Sequence, residues 1–329
     1  MTSPCMSVVV VAWNSGSSLG QCVDSLRASA KEARAPIELV VVDNGSTDDA
    51  ADVLPLEPDD VLVRNPLNAG YGVAAAQGIA RSSGAWILLV NPDLVVAPGF
   101  VAALITAADA SGPEVATLVP EMRFATPPDV VNCRGLTVDE IGIPAEIDAG
   151  VPVVEPPTPS VRVLGGSSGC CLLRSEHLRR VGGPEPMFFA YLEDVDLALR
   201  LDCAGYGTVF VPDAIAYHEG SASTGAQSPL KVHLVARNRR LLFRLHAPRS
   251  VGATARRALV DVAHGAYSSL ATPVAPWAGR LEALYFRRYL RFLRRCRAQD
   301  DCIGSYPRPR RATLRETRDR KRSVLYRGS

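Results

Sequence analysis

No pair among the eight cysteines has Cys-x-x-Cys spacing, and no wider interval matches a zinc ligand set. Cys170 and Cys171 lie side by side in an apolar run, so the thiols read as buried and reduced rather than as a disulfide framework. No stretch reaches the ~20 apolar residues that a spanning helix needs. The first residues lack the basic flank and long apolar core of a signal peptide. A cytoplasmic protein, peripheral on the inner face of the plasma membrane, is therefore the expectation. Internal repeats and low-complexity tracts are absent. Basic residues are scarce in the first part of the chain: residues 1–230 hold 12 Lys and Arg against 28 Asp and Glu, whereas residues 231–329 hold 24 against 6. An acidic body suits a metal-assisted carboxylate site, and a basic end suits a phosphate-rich partner such as anionic lipid.

Short β-branched runs alternate with helical patterns over the first hundred residues, which is the mark of βαβ units and a mostly parallel sheet. Strands are expected at 7–12, 38–42, 61–64 and 86–90, with helices at 17–30 and 70–81. Each strand ends in polar residues: Trp13-Asn14-Ser15, Asp43-Asn44-Gly45-Ser46, Asn65, and Asn91-Pro92-Asp93. In open α/β sheets that edge is where ligands bind. From 120 to 161 the pattern weakens, and Pro127-Pro128 with Pro156-Pro157 predict loops that pass over the site. Order resumes with Gly165-Gly166-Ser167-Ser168-Gly169 and the apolar run 170–173. A short helix at 176–181, a helix at 193–204 closed by Gly205, and strands at 208–211 and 215–217 follow, the last leading to His218.

Residues 188–196 are the most informative segment: Phe-Phe-Ala-Tyr-Leu-Glu-Asp-Val-Asp places three carboxylates within four positions behind an aromatic run. Hydrophobic walls can hold such a carboxylate still and tune it as a general base, which points to an enzyme. The same acids would also complement the dipole of the helix they open, and Asp196 with Arg200 at i, i+4 reads as surface support.

Six segments occur in a fixed order: Ser-Val-Val-Val-Val-Ala-Trp-Asn at 7–14, Val-Val-Asp-Asn-Gly-Ser at 41–46, Asn-Ala-Gly at 68–70, Leu-Leu-Val-Asn-Pro-Asp at 88–93, the 188–196 cluster, and Val-Pro-Asp-Ala-Ile-Ala-Tyr-His at 211–218. Together with Arg237-Asn238-Arg239, the series resembles inverting family 2 glycosyltransferases, most closely the rhamnosyltransferase-like branch. The resemblance runs from about residue 7 to Pro248. It implies a GT-A fold, Rossmann-like with flanking helices, that binds a nucleotide-diphosphate sugar and a divalent cation, Mg or Mn, and transfers the sugar by single displacement.

The resemblance assigns roles to individual residues. Asp93 would hold the cation that neutralises the leaving diphosphate, with His218 completing the metal site and Asn91 organising the loop. Taken alone, Asn-Pro-Asp is a turn or a helix cap, and a lone histidine is more often structural. Asp194 would take the acceptor proton and Glu193 would position acceptor hydroxyls. Asp43 and Asn44 would meet the base, Asp43 accepting the N3 hydrogen of uracil or thymine, and Asn14 would lie beside base or ribose. Asn68 and Gly70 precede a helix whose first amides could face the diphosphate. Two departures stand out. Ala74, Ala75 and Ala76 replace a polar partner common in relatives, and Pro184-Glu185-Pro186 replaces the usual Phe-Asp-Glu.

Three units follow: a catalytic domain at 1–248, a basic helical extension at 249–303, and a disordered basic tail at 304–329. In the extension Leu281, Leu284, Tyr285, Tyr289, Phe292 and Cys296 share a helical face, mostly ringed by arginines, as for a helix lying on anionic lipid. The expected substrates are a dTDP-linked sugar, rhamnose first, or a UDP-linked one, and a glycan or polyprenyl-linked acceptor; nucleic acid is not an expected partner. A nucleotidyltransferase would place Lys or Arg in a Gly-rich loop after the first strand, which Trp13-Asn14-Ser15-Gly16 does not. A non-catalytic binding protein is the remaining alternative.

Overall fold

A computed structural model of the chain describes residues 6–138, 143–153, 163–219 and 228–246, with isolated helical positions between 255 and 266. The basic helix expected across 281–297 and the tail after 304 lie outside the described residues.

The chain opens with β1 (Met6–Ala12), α1 (Ser18–Glu32), β2 (Ile37–Asp43) and β3 (Val61–Arg64). Then come α2 (Tyr71–Arg81), β4 (Trp86–Val90), β5 (Leu94–Val96), α3 (Phe100–Asp109) and β6 (Val115–Phe124). Short strands β7 (Val131–Cys133), β8 (Leu136–Val138) and β9 (Pro144–Glu146) follow, then β10 (Cys170–Arg174) and α4 (Ser175–Val181). A 3-10 turn (Pro186–Phe188), α5 (Glu193–Cys203), β11 (Gly207–His218) and α6 (Pro229–His246) complete the order. The main sheet runs β3-β2-β1-β4-β10-β6-β11-β5, with β7 on β6, while β8 and β9 form a separate hairpin. Its first four strands are parallel; β10 lies antiparallel to both β4 and β6, and β11 is again parallel to β6.

Continuous apolar runs form the parallel strands because both sheet faces are covered. Alternation then sorts the side chains. Val8, Val10, Leu39, Val41, Leu88 and Val90 face α1 and α3, meeting Leu19, Val23, Leu26, Phe100 and Leu104. Val9, Val11, Val40, Val42, Ile87 and Leu89 face the other way, toward Ala74 and Ala75 of α2 and Leu197 and Leu201 of α5. Ala74 and Ala75 have a packing role here: their small side chains let α2 lie close on β1 and β2. A third cluster joins Leu136 of β8, Phe188, Val195 and Leu199 to Leu241 and Leu242 of α6.

The expected strands at 208–211 and 215–217 are one strand, β11, whose register shifts between Val211 and Ile215. Pro212 has no N–H to donate, so the ladder bulges there and resumes. Among the described residues no helix is long and apolar enough to cross a membrane.

Asp196 and Arg200 are not surface support. Asp196 is 1% exposed, accepts from Arg200 Nε at 2.9 Å and pairs with His246 Nε2 at 2.6 Å. The same guanidinium donates to the carbonyls of Val181, Gly182 and Gly183 at 2.8–2.9 Å. Helical spacing alone is the same for an exposed and a buried pair, so the sequence could not tell them apart. Burial by itself would raise the Asp196 pKa, but the Arg200 charge and then His246 outweigh it and hold the carboxyl below its ordinary range. A depressed acid stabilises the fold above its unfolded pKa of about 4, and that contribution is lost as pH falls through the lower folded value. Asp196→Ala leaves a buried guanidinium without its counter-ion and is expected to cost about 3–5 kcal/mol. Urea unfolding at neutral pH measures this, and a loss below about 1 kcal/mol would contradict a buried pair.

Candidate active site

The carboxyl ends of β1, β2 and β4 gather their loops at one edge of the sheet, beside the start of α5, around a cleft of about 820 Å³. Asn14, Asn44, Asn68, Asp93, Glu193, Asp194 and His218 all line it. Asp43 and Gly70 do not reach its wall. Asp43 accepts the Ser46 N–H at 3.0 Å and lies 3.6 Å from Arg64. Gly70 stands behind Phe189: with φ at +90°, a Cβ there would come within 2.6 Å of the Phe189 ring.

An amide network fixes the nucleotide-side loops. Asn14 Oδ1 accepts from Thr47 N–H at 2.7 Å, and the Asn14 N–H donates to Ser46 Oγ at 3.1 Å, which ties the loop after β1 to the loop after β2. Asn44 Nδ2 donates to Asn68 Oδ1 at 3.1 Å, while Asn44 Oδ1 accepts from Asn65 Nδ2 and from the Ala69 N–H. At the start of α2 the Gly72 N–H donates to the Phe189 carbonyl at 3.2 Å, so this amide meets protein rather than the cleft.

Asp93 and His218 come together across the β5–β11 pairing: Asp93 Oδ1 lies 3.2 Å from His218 Nε2. His218 Nδ1 faces Asn132 Oδ1 at 3.1 Å, which assigns the ring proton to Nδ1. Nε2 is buried and makes no hydrogen bond. A lone pair held this way beside a carboxylate fits a cation. The described residues hold no group of three or more His, Cys, Asp or Glu that could bind a metal ion. Two protein donors suit a hard cation that takes its remaining ligands from water and substrate phosphate.

Another part of the wall begins in a strained turn. Phe189, Tyr191 and Leu192 have φ of 64°, 69° and 67°, a conformation costing on the order of 1 kcal/mol or more for each non-glycine residue. Two side chains of α6 hold it. Asn238, wholly buried, donates from Nδ2 to the carbonyls of Phe188, Ala190 and Tyr191 at 2.7–2.8 Å. Arg237 donates to the Met187 and Phe188 carbonyls at 3.0 and 2.7 Å and to Asn238 Oδ1 at 2.9 Å. The turn sets Glu193 and Asp194 at the start of α5. Asp194 Oδ2 accepts the Ser168 N–H at 3.2 Å, and Tyr71 Oη donates to the Ser168 carbonyl at 2.8 Å, so α2 steadies the carboxylate through one residue.

Burial, then the Asp194 charge, push the Glu193 pKa well up. Burial also raises Asp194, against the N–H groups of Ser168 and Val195 that favour its ionised form. Burial outweighs those hydrogen bonds.

Four further lining residues carry little or no sequence signal. Glu146 enters from the β8–β9 hairpin, in the stretch expected to be loops over the site. Its side chain opens to solvent, yet the water it loses to the surrounding protein and then Asp194 raise its pKa, with His218 and Lys231 pulling the other way. Tyr71 is the second, and Lys231 and Arg239 of α6 are the others. The only sequence signal for Arg239 was its place in Arg237-Asn238-Arg239.

A raised acid stabilises the fold only below its unfolded pKa, and at neutral pH its ionisation costs stability. Glu193→Gln is therefore expected to raise Tm at pH 8 by about 2–4 °C, the shift expected from roughly 1 kcal/mol in a chain of this size. The gain should vanish near about pH 3, below the ordinary glutamate pKa, where the carboxyl is protonated in both states. Differential scanning fluorimetry at the two pH values measures it, and a lower Tm at pH 8 would contradict it.

A family model described as glycosyl transferase family 2 matches residues 7–135. The N-acetylglucosaminyl-diphospho-decaprenol L-rhamnosyltransferase of Mycobacterium tuberculosis is 30% identical over 249 residues, 67% of this chain and 78% of the relative. Among solved structures, GalNAc-T7 with UDP, GalNAc and Mn2+ matches with a TM-score of 0.55 at 18% identity, covering 74% of this chain and 48% of that one, so this chain spans about half of its length. The mannosyltransferase PcManGT from Pyrobaculum calidifontis, in complex with GDP-Man and Mn2+, matches with a TM-score of 0.51 at 17% identity, covering 91% of this chain and 81% of that one. These two likenesses show a shared GT-A fold. With the ordered motifs around one cleft and a relative matched over most of its length, the chain belongs to glycosyltransferase family 2 and is a glycosyltransferase.

Proposed function

We propose that this glycosyltransferase moves L-rhamnose, with inversion, from dTDP-rhamnose to a hydroxyl of a lipid-linked or glycan acceptor in cell-envelope polysaccharide synthesis, at the inner face of the plasma membrane. One observation carries the reading: the Asp93–His218 pair and the Asp194 carboxylate line a single cleft. The 30% identical Mycobacterium tuberculosis rhamnosyltransferase supports the donor sugar, and its printed name supports a lipid-linked acceptor.

Asn14, Asn44 and Asn68 shape the end of the cleft that takes the nucleotide. Mg or Mn held by Asp93 and His218 would neutralise the charge that develops on the leaving diphosphate. Asp194 takes the proton of the acceptor hydroxyl on the opposite side, and its raised pKa makes it a better base than an exposed aspartate. Glu193, buried beside it, orients acceptor hydroxyls. Asp43, held by the Ser46 N–H and Arg64, supports the loop that frames the base, and Gly70 gives Phe189 room.

A screen of dTDP-rhamnose against UDP-sugars, with Mn, Mg or EDTA, tests the donor: turnover with the UDP-sugars alone would replace it. Asp93→Ala is expected to abolish metal-dependent donor binding in calorimetry. Asp194→Asn should leave donor Kd within about twofold and lower kcat by about 10²–10⁴-fold, the usual contribution of a positioned base. Because the Asp194 pKa is raised, wild-type kcat should fall with decreasing pH on a limb lying above the ordinary aspartate range, and that limb should be missing in the variant. Near-normal turnover by Asp194→Asn would refute the role.

A further inference from the structure

We infer that Glu146, carried into the cleft by the β8–β9 hairpin, accepts hydrogen bonds from the hydroxyls of the transferred sugar and so helps to select the donor. This rests on the reading that a cation held by Asp93 and His218 and the base Asp194 flank the sugar carbon.

The register of the hairpin aims the side chain. Glu146 pairs with Leu136 across the two antiparallel strands, and directly opposed residues send their side chains to the same face of such a pair. Leu136 is 3% exposed and packs with Phe188, Val195 and Leu199, so that face is turned toward the start of α5. Both residues line the cleft. The hairpin is held at this end. The Leu136 N–H donates to the Gly165 carbonyl at 2.7 Å and the Ile147 N–H to the Gly135 carbonyl at 2.8 Å. The Arg134 guanidinium adds a clamp, donating to Glu121 at 2.8 Å and to Asp148 at 3.1 Å. Glu146 therefore stands on a fixed arm.

The charges that act on the carboxylate give its place. Asp194 repels it, while His218 and Lys231 attract it. His218 belongs to the pair that would hold the cation and Asp194 is the base, so a carboxylate within reach of both stands beside the ring that spans them. An acceptor molecule would enter on the base's side alone, and the nucleotide would lie beyond the cation, near Asn14 and Asn44. Among the described residues no three His, Cys, Asp or Glu side chains could hold a metal ion together, so Glu146 does not extend the Asp93–His218 pair. Nor does a hydrogen bond or ion pair among those residues engage its carboxylate, which remains open to solvent at the wall of the cleft. An ionised carboxylate only accepts, sugar hydroxyls donate, and such charge-assisted bonds are stronger than neutral ones. In the same cleft Glu193 Oε2 is buried without a hydrogen bond, a second carboxyl oxygen that the protein leaves to a hydroxyl.

Calorimetry on the full chain with Mn tests this, comparing dTDP with dTDP-rhamnose and with analogues of it that each lack one ring hydroxyl. Glu146→Ala is expected to weaken dTDP-rhamnose about tenfold, the size of one hydrogen bond to a charged group, and to leave dTDP within about twofold. Glu146→Gln, which keeps one neutral acceptor, should fall between. At least one analogue should bind the wild type about tenfold more weakly than dTDP-rhamnose does, and Glu146→Ala should not tell the two apart. A variant that weakens dTDP as much as dTDP-rhamnose would place Glu146 at the nucleotide or cation and overturn the inference. Unchanged donor affinity with a raised acceptor KM would place it at the acceptor and overturn it too. So would unchanged affinities throughout, or analogues that lose as much in Glu146→Ala as in the wild type. A Tm within about 2 °C of wild type shows that the hairpin survives, and Glu146→Gln, equal in size, carries the comparison if Glu146→Ala does not fold. Failure of the underlying reading registers separately. Mn-dependent dTDP binding that survives Asp93→Ala would refute the cation pair, and a wild type that binds a UDP-sugar in place of dTDP-rhamnose would move the same comparison to UDP and that sugar.

Discussion

The site depends on one tie. Three bulky residues with positive φ among four positions, Phe189, Tyr191 and Leu192 around Ala190, cannot hold such a turn unaided, and the carboxamide of Asn238 with the guanidinium of Arg237 holds it for them. Every acceptor that the turn itself offers is a backbone carbonyl, so what is fixed is the path of the chain rather than the choice of side chains. The path ends at Leu192, and the next two residues are the carboxylates. From the far side, Phe189 fills the space that Gly70 leaves and accepts from Gly72, which locks the turn against α2. A short sequence in the last described helix thus sets the geometry of a segment about fifty residues earlier.

The rest of the cleft follows from two opposed demands. Parallel strands bring their polar ends to one edge, where Asn44, Asn65 and Asn68 satisfy one another, Asn14 pairs with Ser46 and Thr47, and a rigid rim is left for a nucleotide. Across from it, acids are buried at some expense to stability, which is how a carboxylate acquires the raised pKa of a base. Asp196 lies two residues from Asp194 and shows the contrast: the same residue type, equally buried, is held ionised because Arg200 and His246 surround it. One acid of the cluster supports the fold and its neighbours face the cleft.

Much of the fold was legible because β1, β2, β3 and β4 are apolar runs bounded by polar turns, and the expected ranges fall within them. Helix α5 was legible from its acidic start and Gly205. Strand β5, with three residues, and α3, mostly apolar, carry too little periodicity to be read. Residues 115–146 hold β6 to β9, where prolines and short pairings hide strands whose stability comes from distant partners. In the site, motif order identified the residues that end strands, since an edge position is a local property. It could not show that Asp43 and Gly70 stop short of the wall, nor that Glu146, Tyr71, Lys231 and Arg239 reach it, because side-chain direction is decided by tertiary packing. Asn132, which sets the His218 tautomer from 86 residues away, has no sequence signal at all.

The central claim is that one cleft sets a cation-holding pair against the carboxylate of Asp194, with the sugar carbon between them. Anomalous diffraction from crystals grown with Mn and a non-transferable dTDP-sugar analogue tests this most directly. The account predicts a manganese peak within about 2.3 Å of Asp93 and His218, touching the diphosphate, with the anomeric carbon turned toward Asp194. A peak on Glu193 and Asp194, or a sugar lying on the side of Asp93 away from Asp194, would contradict it.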